Sequence, residues 1–192
     1  MTSNVRKYMF LTATIAVAFV ANAAAPQGWL LAGSKPANYD TGIDREAVYK
    51  ALPSAYLKAT ADPDGFGTLM QSFSADPYVG KRVRFSAYVK SDSVARWAGL
   101  WMRVDGKNVQ QPLAFDNMQD RPIKGSAAWN RYEVVLDVPQ GATDIALGIL
   151  LAGAGQVWIN SVAVEVVGAD VAATGHLAKQ LPDGPRNLGF DQ

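Results

Sequence analysis

The sequence predicts an all-β protein folded as an antiparallel two-sheet β-sandwich. Three observations favour this class. Apolar and polar residues alternate with period two in several stretches, turn-forming residues separate those stretches at intervals of roughly 8–12 residues, and the spacing typical of amphipathic helices is almost absent. The chain has 192 residues, of which 49% are hydrophobic, so one domain can bury a sizeable core.

The first 23 residues have the order of a signal peptide. Arg6 and Lys7 supply positive charge, residues 9–20 form an apolar run, and Ala21 and Ala23 are the small residues that a signal peptidase reads. We therefore expect cleavage after Ala23 and a periplasmic or secreted mature protein. The alternative is an uncleaved anchor, but the apolar run is shorter than the ~20 residues of a spanning helix, so we expect no stable membrane insertion after cleavage.

The clearest predicted strands lie in the middle of the chain. Residues 81–90 and 96–105 each carry an apolar face that we expect to be buried; these faces consist of Val83, Phe85, Ala87 and Val89, and of Ala98, Leu100, Met102 and Val104. Residues 131–138 repeat the alternation. Residues 145–151 are apolar on both faces, which is typical of a central sandwich strand, and residues 157–167 form the last predicted strand.

The remaining segments carry weaker signals. Short strands are predicted at residues 28–33, 39–50, 54–58, 67–74 and 112–117, with a short helix over residues 44–52 as an alternative. After Gly168 the alternation stops, and Pro182 and Pro185 lie in a stretch with few apolar residues. We therefore assign residues 28–168 to the sandwich domain and residues 169–192 to a flexible C-terminal tail.

Composition excludes several function classes. Cysteine is absent, which removes disulfides and thiol nucleophiles, and the one histidine, His176, falls in the predicted tail. After residue 25 the chain has 16 basic and 17 acidic residues, so it offers no positive surface for nucleic acid. The carboxylates Asp116 and Asp120 fall at a turn, where aspartate bonds locally. We expect no catalytic residues and no cofactor.

Four stretches carry a resemblance to a known family. These are residues 65–73, 78–90, 127–132 and 157–160, the last reading Val-Trp-Ile-Asn. Their order resembles galactose-binding-like jelly rolls, especially the carbohydrate-binding modules associated with xylanases. It also resembles uncharacterised domains of that fold that are appended to bacterial transcription regulators and to tail-specific peptidases.

The resemblance implies a two-sheet jelly roll with one concave face. Members of the family often hold a structural calcium, with an aspartate near the last strand. Asn160 stands at that place here, so we expect no metal. Some jelly-roll polysaccharide lyases also place arginines on one strand, as Arg82 and Arg84 are here, but the other sequence elements of those enzymes are missing.

The candidate binding site is a set of aromatic and polar residues that we expect to project from one sheet face. Sugars bind aromatic rings through their apolar C–H faces, while neighbouring polar groups bond the hydroxyls. The set consists of Trp97, Trp101, Tyr88, Arg84, Arg103 and Gln71. The alternative is that the two tryptophans are buried packing residues and that the other residues are solvent-exposed surface residues without a ligand.

The sequence therefore predicts a non-catalytic binding module for a carbohydrate or another cell-envelope component. A protein-interaction or regulatory sensing domain without a sugar ligand is the first alternative, with a protein as partner. A jelly-roll polysaccharide lyase or hydrolase is the second.

Overall fold

The computed structural model describes residues 24–61, 64–107, 111–177 and Leu188. The predicted signal peptide lies outside the described residues, as does most of the predicted tail after residue 177. Ten strands and two single-turn 3₁₀ helices follow one another. The strands are β1 (Leu30–Gly33), β2 (Tyr39–Tyr49), β3 (Leu52–Ala59), β4 (Phe66–Ser74), β5 (Arg82–Gly106), β6 (Ala114–Asp116), β7 (Ile123–Asp137), β8 (Ala142–Ala152), β9 (Gln156–Val167) and β10 (His176–Leu177). The 3₁₀ helices are Pro36–Asn38 and Asp76–Tyr78.

One long strand, β5, joins the two layers of the sandwich. Residues 82–92 of β5 pair with β7 and β9, and this layer continues through β3 to β2. Residues 97–106 pair with β8, which continues to β4 and β1, and with β6, which pairs with β10. We call these layers sheet one and sheet two. All pairings are antiparallel, so the predicted fold class is confirmed.

The inward-facing residues of β5 change parity between the two sheets. Odd-numbered residues such as Phe85 face the core in sheet one, whereas even-numbered residues such as Leu100 do so in sheet two. The pairing with β7 shifts register three times between Val89 and Ala98, and Ser93 in that stretch has a φ of 52°. Such an irregularity redirects the side chains that follow it, so one strand can supply the core with both its halves.

The core lies between the sheets and confirms the predicted strand faces. Eight of the residues that the alternation assigned inward are at most 2% exposed, namely Val83, Phe85, Val89, Leu100, Met102, Val134, Leu136 and Ile149. Tyr132, on the same face of β7 as Val134, is only partly buried. Within the described ranges, no helix has the length and apolar character needed to cross a membrane.

The segment for which a short helix was the alternative is a β-hairpin instead. Lys50 and Ala51, with φ of 50° and 64°, form its turn. Asp44 accepts hydrogen bonds from the backbone of Ala47 and Glu46 and from the Trp158 indole nitrogen, and together these hold its pKa below the usual value.

The tip of this hairpin meets the outer face of sheet one. The ring of Tyr49 stacks on that of Tyr88 at 4.3 Å, and Trp129 is 5.3 Å from Tyr49. A hydrogen bond with Tyr88 raises the pKa of the Tyr49 hydroxyl to about 12. The stacked rings of Tyr49 and Tyr88 therefore hold the tip of the hairpin against the outer face of sheet one.

The start of the predicted tail packs on the sandwich, so the prediction of flexibility is wrong for residues 169–177. Arg82 donates hydrogen bonds to the carbonyls of Ala169 and Val171. The Thr174 hydroxyl bonds the Asp116 carboxylate and accepts from the backbone of Val135. Composition did not reveal this docking because its contacts are mostly polar and backbone-mediated.

Candidate functional site

A groove of about 600 Å³ crosses the outer face of sheet two. Its lining comes from five strands and the turn after β6, and it combines aromatic, aliphatic and polar side chains. The lining residues are Ala32, Gly33, Phe66, Thr68, Met70, Ser72, Trp97, Trp101, Arg103, Asp105, Phe115, Asn117, Asp144, Ala146 and Leu150. A groove of this size and composition is typical of small-molecule and oligosaccharide sites.

Strand alternation brings these residues to one face. On β5 the odd residues from Trp97 to Asp105 point outward because Ala98, Leu100, Met102 and Val104 are all buried in the core. On β8, Ala146 and Leu150 line the groove while Leu147 and Ile149 are fully buried. The doubly apolar pattern of β8 therefore arises because one of its faces is core and the other is groove floor.

Trp101 is held across the groove floor. It lies opposite Gly148 of β8, which in turn lies opposite Met70 of β4. Its indole nitrogen nevertheless donates a 2.7 Å hydrogen bond to the hydroxyl of Thr68 on β4, two strands away. Two strand spacings amount to roughly 10 Å, so the indole must extend over β8.

Gly148, the residue opposite Trp101, has no space for a side chain beside β4. A Cβ at this position would come within 2.4 Å of the Leu69 carbonyl oxygen and 2.9 Å of the Met70 Cβ. Thr68 is itself fixed, because its hydroxyl donates to the Ile149 carbonyl at 2.9 Å. The half-buried Trp101 ring is thus preorganised along the sheet surface rather than free to rotate.

Trp97 lies four residues before Trp101 on β5, beside the turn that follows β6. Gly99 between the two tryptophans has no space for a side chain, since a Cβ would lie 3.0 Å from the Asn117 carbonyl and 3.1 Å from the Met118 Cβ. This turn therefore borders the groove closely. It is fixed by Asp116, which is 7% exposed and accepts from the backbone of Met118 and from Arg121.

The polar groups of the groove gather toward the end of β5. The Nε of Arg103 donates to both carboxylate oxygens of Asp105, at 2.7 and 2.8 Å. Asp144 lies directly opposite Asp105 on β8 and accepts from the Thr143 hydroxyl at 2.7 Å. Ser72 and Asn117 add further hydrogen-bonding groups to the lining. Among the described residues, no group of three or more histidine, aspartate or glutamate side chains could hold a metal ion.

The structure brings together three of the six residues that the sequence analysis grouped. Trp97, Trp101 and Arg103 all line the groove. Arg84 and Tyr88 lie on the outer face of sheet one, on the other side of the core. There Arg84 pairs with Glu165 at 3.0 Å, and Tyr88 stacks on Tyr49. The grouping was wrong for these two because the two halves of β5 belong to different sheets, so their outward faces lie on opposite sides of the core.

Gln71 is also on the wrong side of its strand. On β4 the groove residues include Thr68, Met70 and Ser72, so Gln71 lies on the opposite face, the same face as its cross-strand partner Leu147. Sequence reasoning missed Thr68 and Met70 for the same reason. The alternation within residues 67–74 contained the signal, but the core-facing set could not be identified without a partner strand.

Comparison with known proteins gives one sequence relative and several structural neighbours. No protein-family model matches the chain. The uncharacterized HTH-type transcriptional regulator YbfP of Bacillus subtilis (strain 168) is 45% identical over 169 residues, which covers 86% of this chain. The chain spans 57% of the length of that relative.

The structural neighbours are mostly carbohydrate-binding modules. The CBM22-1 xylan-binding domain of Paenibacillus barcinonensis Xyn10C matches with a TM-score of 0.54 and 15% identity, over 77% of this chain and 91% of that domain. The CBM22-1–GH10 modules of Clostridium thermocellum Xyn10B, complexed with xylohexaose, match with a TM-score of 0.54 and 13% identity, over 76% of this chain and 27% of theirs.

A part of one enzyme domain has a similar fold. The enzymatically active domain of the bacteriophage CBA120 tailspike protein 4 matches with a TM-score of 0.52 and 15% identity, over 73% of this chain and 20% of that one. At these identities the likeness establishes the fold. The described chain is an all-β sandwich of the kind found in carbohydrate-binding modules, as the resemblance predicted.

Proposed function

We propose that this protein is a non-catalytic glycan-binding module whose ligand lies in the groove of sheet two. The observation that carries the proposal is the fixed Trp101 indole, which lies over β8 and shares the groove with Arg103, Asp144 and Asn117. An aromatic ring beside hydrogen-bonding groups is the arrangement that binds pyranose rings. The shared fold with xylan-binding domains supports the same conclusion.

The spacing of the aromatic residues favours an oligosaccharide over a single sugar. Trp97 and Trp101 are four residues apart on one strand, so their Cα atoms are separated by about 13 Å. A ligand that contacts both rings must extend along the strand direction. We therefore expect affinity to increase with chain length until both tryptophans are covered.

Calorimetry with a neutral oligosaccharide series, beginning with xylo-oligosaccharides, tests the proposal. Trp101→Ala should weaken binding about five- to thirtyfold, because stacking contributes on the order of 1–2 kcal/mol. Trp129→Ala is the matched control, because it removes the same side chain from the outer face of the other sheet. Trp101→Phe keeps a ring but loses the bond to Thr68, so it should have an intermediate effect.

Two results would contradict this assignment. Equal affinities of the wild type and a folded Trp101→Ala variant would place the ligand elsewhere, and a stronger effect from Trp129→Ala would move the site to sheet one. Release of reducing ends from the same oligosaccharides would contradict the non-catalytic role.

We further propose that the module acts outside the cytoplasm, in the periplasm or the surroundings of the cell. The support is the basic, apolar and small-residue order of residues 1–23. Intact mass of the protein from the periplasmic or culture fraction should correspond to a chain that begins at Ala24. A mass that includes Met1 would overturn this part of the proposal.

A second candidate role is ligand sensing within a regulatory system. The identity of 45% with a relative named as an HTH-type transcriptional regulator favours it. The oligosaccharide series separates the two roles. A module that adheres to polymers gains affinity over several sugar units, whereas a sensor of a small effector reaches full affinity with a mono- or disaccharide.

A further inference from the structure

We infer that the groove discriminates against acidic glycans in favour of uncharged ones, and that Asp144 sets this preference. The inference rests on the proposed role of the groove as a glycan site. It adds the ligand's charge class, for which the groove offers direct physical evidence.

Negative charge predominates in the groove. Among the described residues, its charged lining consists of Arg103, Asp105 and Asp144. All three lie at the same end, since Arg103 and Asp105 are two residues apart on β5 and Asp105 faces Asp144 across the β5–β8 pair. A ligand that extends from Trp101 toward this end meets two carboxylates and one guanidinium.

The positive charge of Arg103 does not neutralise the negative charges of both Asp105 and Asp144. The Nε of Arg103 bonds both oxygens of Asp105, at 2.7 and 2.8 Å, so these two charges compensate each other. Asp144 accepts from the neutral Thr143 hydroxyl and forms no ion pair with any described residue. The uncompensated charge that a ligand encounters at this end is therefore the carboxylate of Asp144.

The donors and acceptors that remain unpaired among the described residues at this end of the groove are suited to binding sugar hydroxyls. The two terminal nitrogens of Arg103 bond no described residue, so they remain available as donors, and Asp144 remains available as an acceptor. A sugar hydroxyl can accept from the first and donate to the second. A uronic acid carboxylate can only accept, and it places a like charge near Asp144.

The test compares acidic glycans with their carboxyl-reduced counterparts, in which an uncharged hydroxymethyl group replaces each carboxylate. Glucuronoxylan and oligogalacturonate serve as the acidic probes, in low-salt buffer with a chelator that prevents calcium from bridging carboxylates. We expect each reduced form to bind at least about fivefold more tightly than its acid, the effect of one partly screened charge. In 1 M salt the ratio should fall toward one, because screening shortens the range of the repulsion to roughly 3 Å.

Asp144→Asn should lower the ratio of the two affinities, and the matched control Glu46→Gln should not. Glu46 is an exposed acid on β2, in the other sheet, so its removal changes net charge by the same amount without touching the groove. Thermal unfolding of both variants verifies that they fold. An unchanged ratio in Asp144→Asn, or tighter binding of the acids by the wild type, would overturn the inference while leaving the glycan site intact. Absence of binding to every reduced and neutral probe would instead contradict the proposed function.

Discussion

At the scale of single residues, the candidate site depends on two side chains and one missing side chain. Trp101 reaches Thr68 across β8, where its cross-strand partner Gly148 has no space for a Cβ beside Leu69 and Met70 of β4. The hydroxyl of Thr68 both accepts a hydrogen bond from the Trp101 indole and donates one to the Ile149 carbonyl, so these two bonds fix its orientation. The orientation of the Trp101 ring is therefore determined by residues that belong to no recognisable binding motif.

Replacement of Thr68 by valine tests this dependence. Thr68→Val keeps the shape of the side chain but leaves the Trp101 indole nitrogen without its acceptor, so we expect oligosaccharide binding to weaken several-fold and stability to fall by about 1–2 kcal/mol. Thr41→Val is the control, since the Thr41 hydroxyl is also buried and donates to the Tyr56 carbonyl in sheet one. Calorimetry and chemical denaturation should show a similar stability loss in the control with unchanged affinity. Equal affinities for both variants would mean that the indole pose does not matter.

At the scale of elements, the border of the groove is tied to the C-terminal segment. β10 pairs with β6, whose Phe115 lines the groove, and Thr174 bonds Asp116 between Phe115 and Asn117. Gly175 packs so closely here that a Cβ would lie 2.6 Å from the Phe115 carbonyl oxygen and 2.4 Å from a methyl of Leu136. The segment that composition assigns to a tail is therefore part of the sandwich.

Deletion of residues 169–192 should destabilise the protein by at least about 2 kcal/mol, as judged by urea denaturation. The reason is that Asp116 loses the Thr174 hydroxyl while staying buried, and Arg82 loses two carbonyl acceptors. A chain that ends at residue 177 is the control, because it keeps all of these contacts, and its midpoint should stay close to that of the full chain. Similar midpoints for both truncations would show that the segment contributes no stability.

At the scale of the whole molecule, β5 makes the two sheets one folding unit. Its first half contributes Phe85 and its second half Leu100 to the same core, and both residues are fully buried. Separation of the sheets would expose both halves of one strand at once. We therefore expect the domain to unfold in one cooperative transition.

Tryptophan fluorescence can report on each sheet separately. Trp97 and Trp101 lie on sheet two, while Trp129 and Trp158 lie on sheet one. Two triple variants each include Trp29→Phe, because Trp29 also packs against the core. One adds Trp97→Phe and Trp101→Phe, the other adds Trp129→Phe and Trp158→Phe, so that each leaves one of these reporter pairs. In each variant, the fluorescence midpoint should agree with the circular dichroism midpoint of the same protein. Separate transitions would mean that the sheets unfold independently.

The sequence by itself determined the fold class, most of the strands and most of the core. Period-two alternation identified the buried faces of β5 and of β7 because each strand needs only its own residues to show which side is apolar. The same local pattern located Trp97, Trp101 and Arg103 on one side of one strand segment. Only the tertiary structure determined which residues of other strands lie on the same face as these three. The first half of β5 pairs in sheet one and the second half in sheet two, so Arg84 and Tyr88 lie on the opposite face of the molecule. Pairing across three strands brings Thr68 within hydrogen-bonding distance of the Trp101 indole. Alternation is a property of consecutive residues, whereas a binding site is built from strands whose order and register follow from the packing of the whole core.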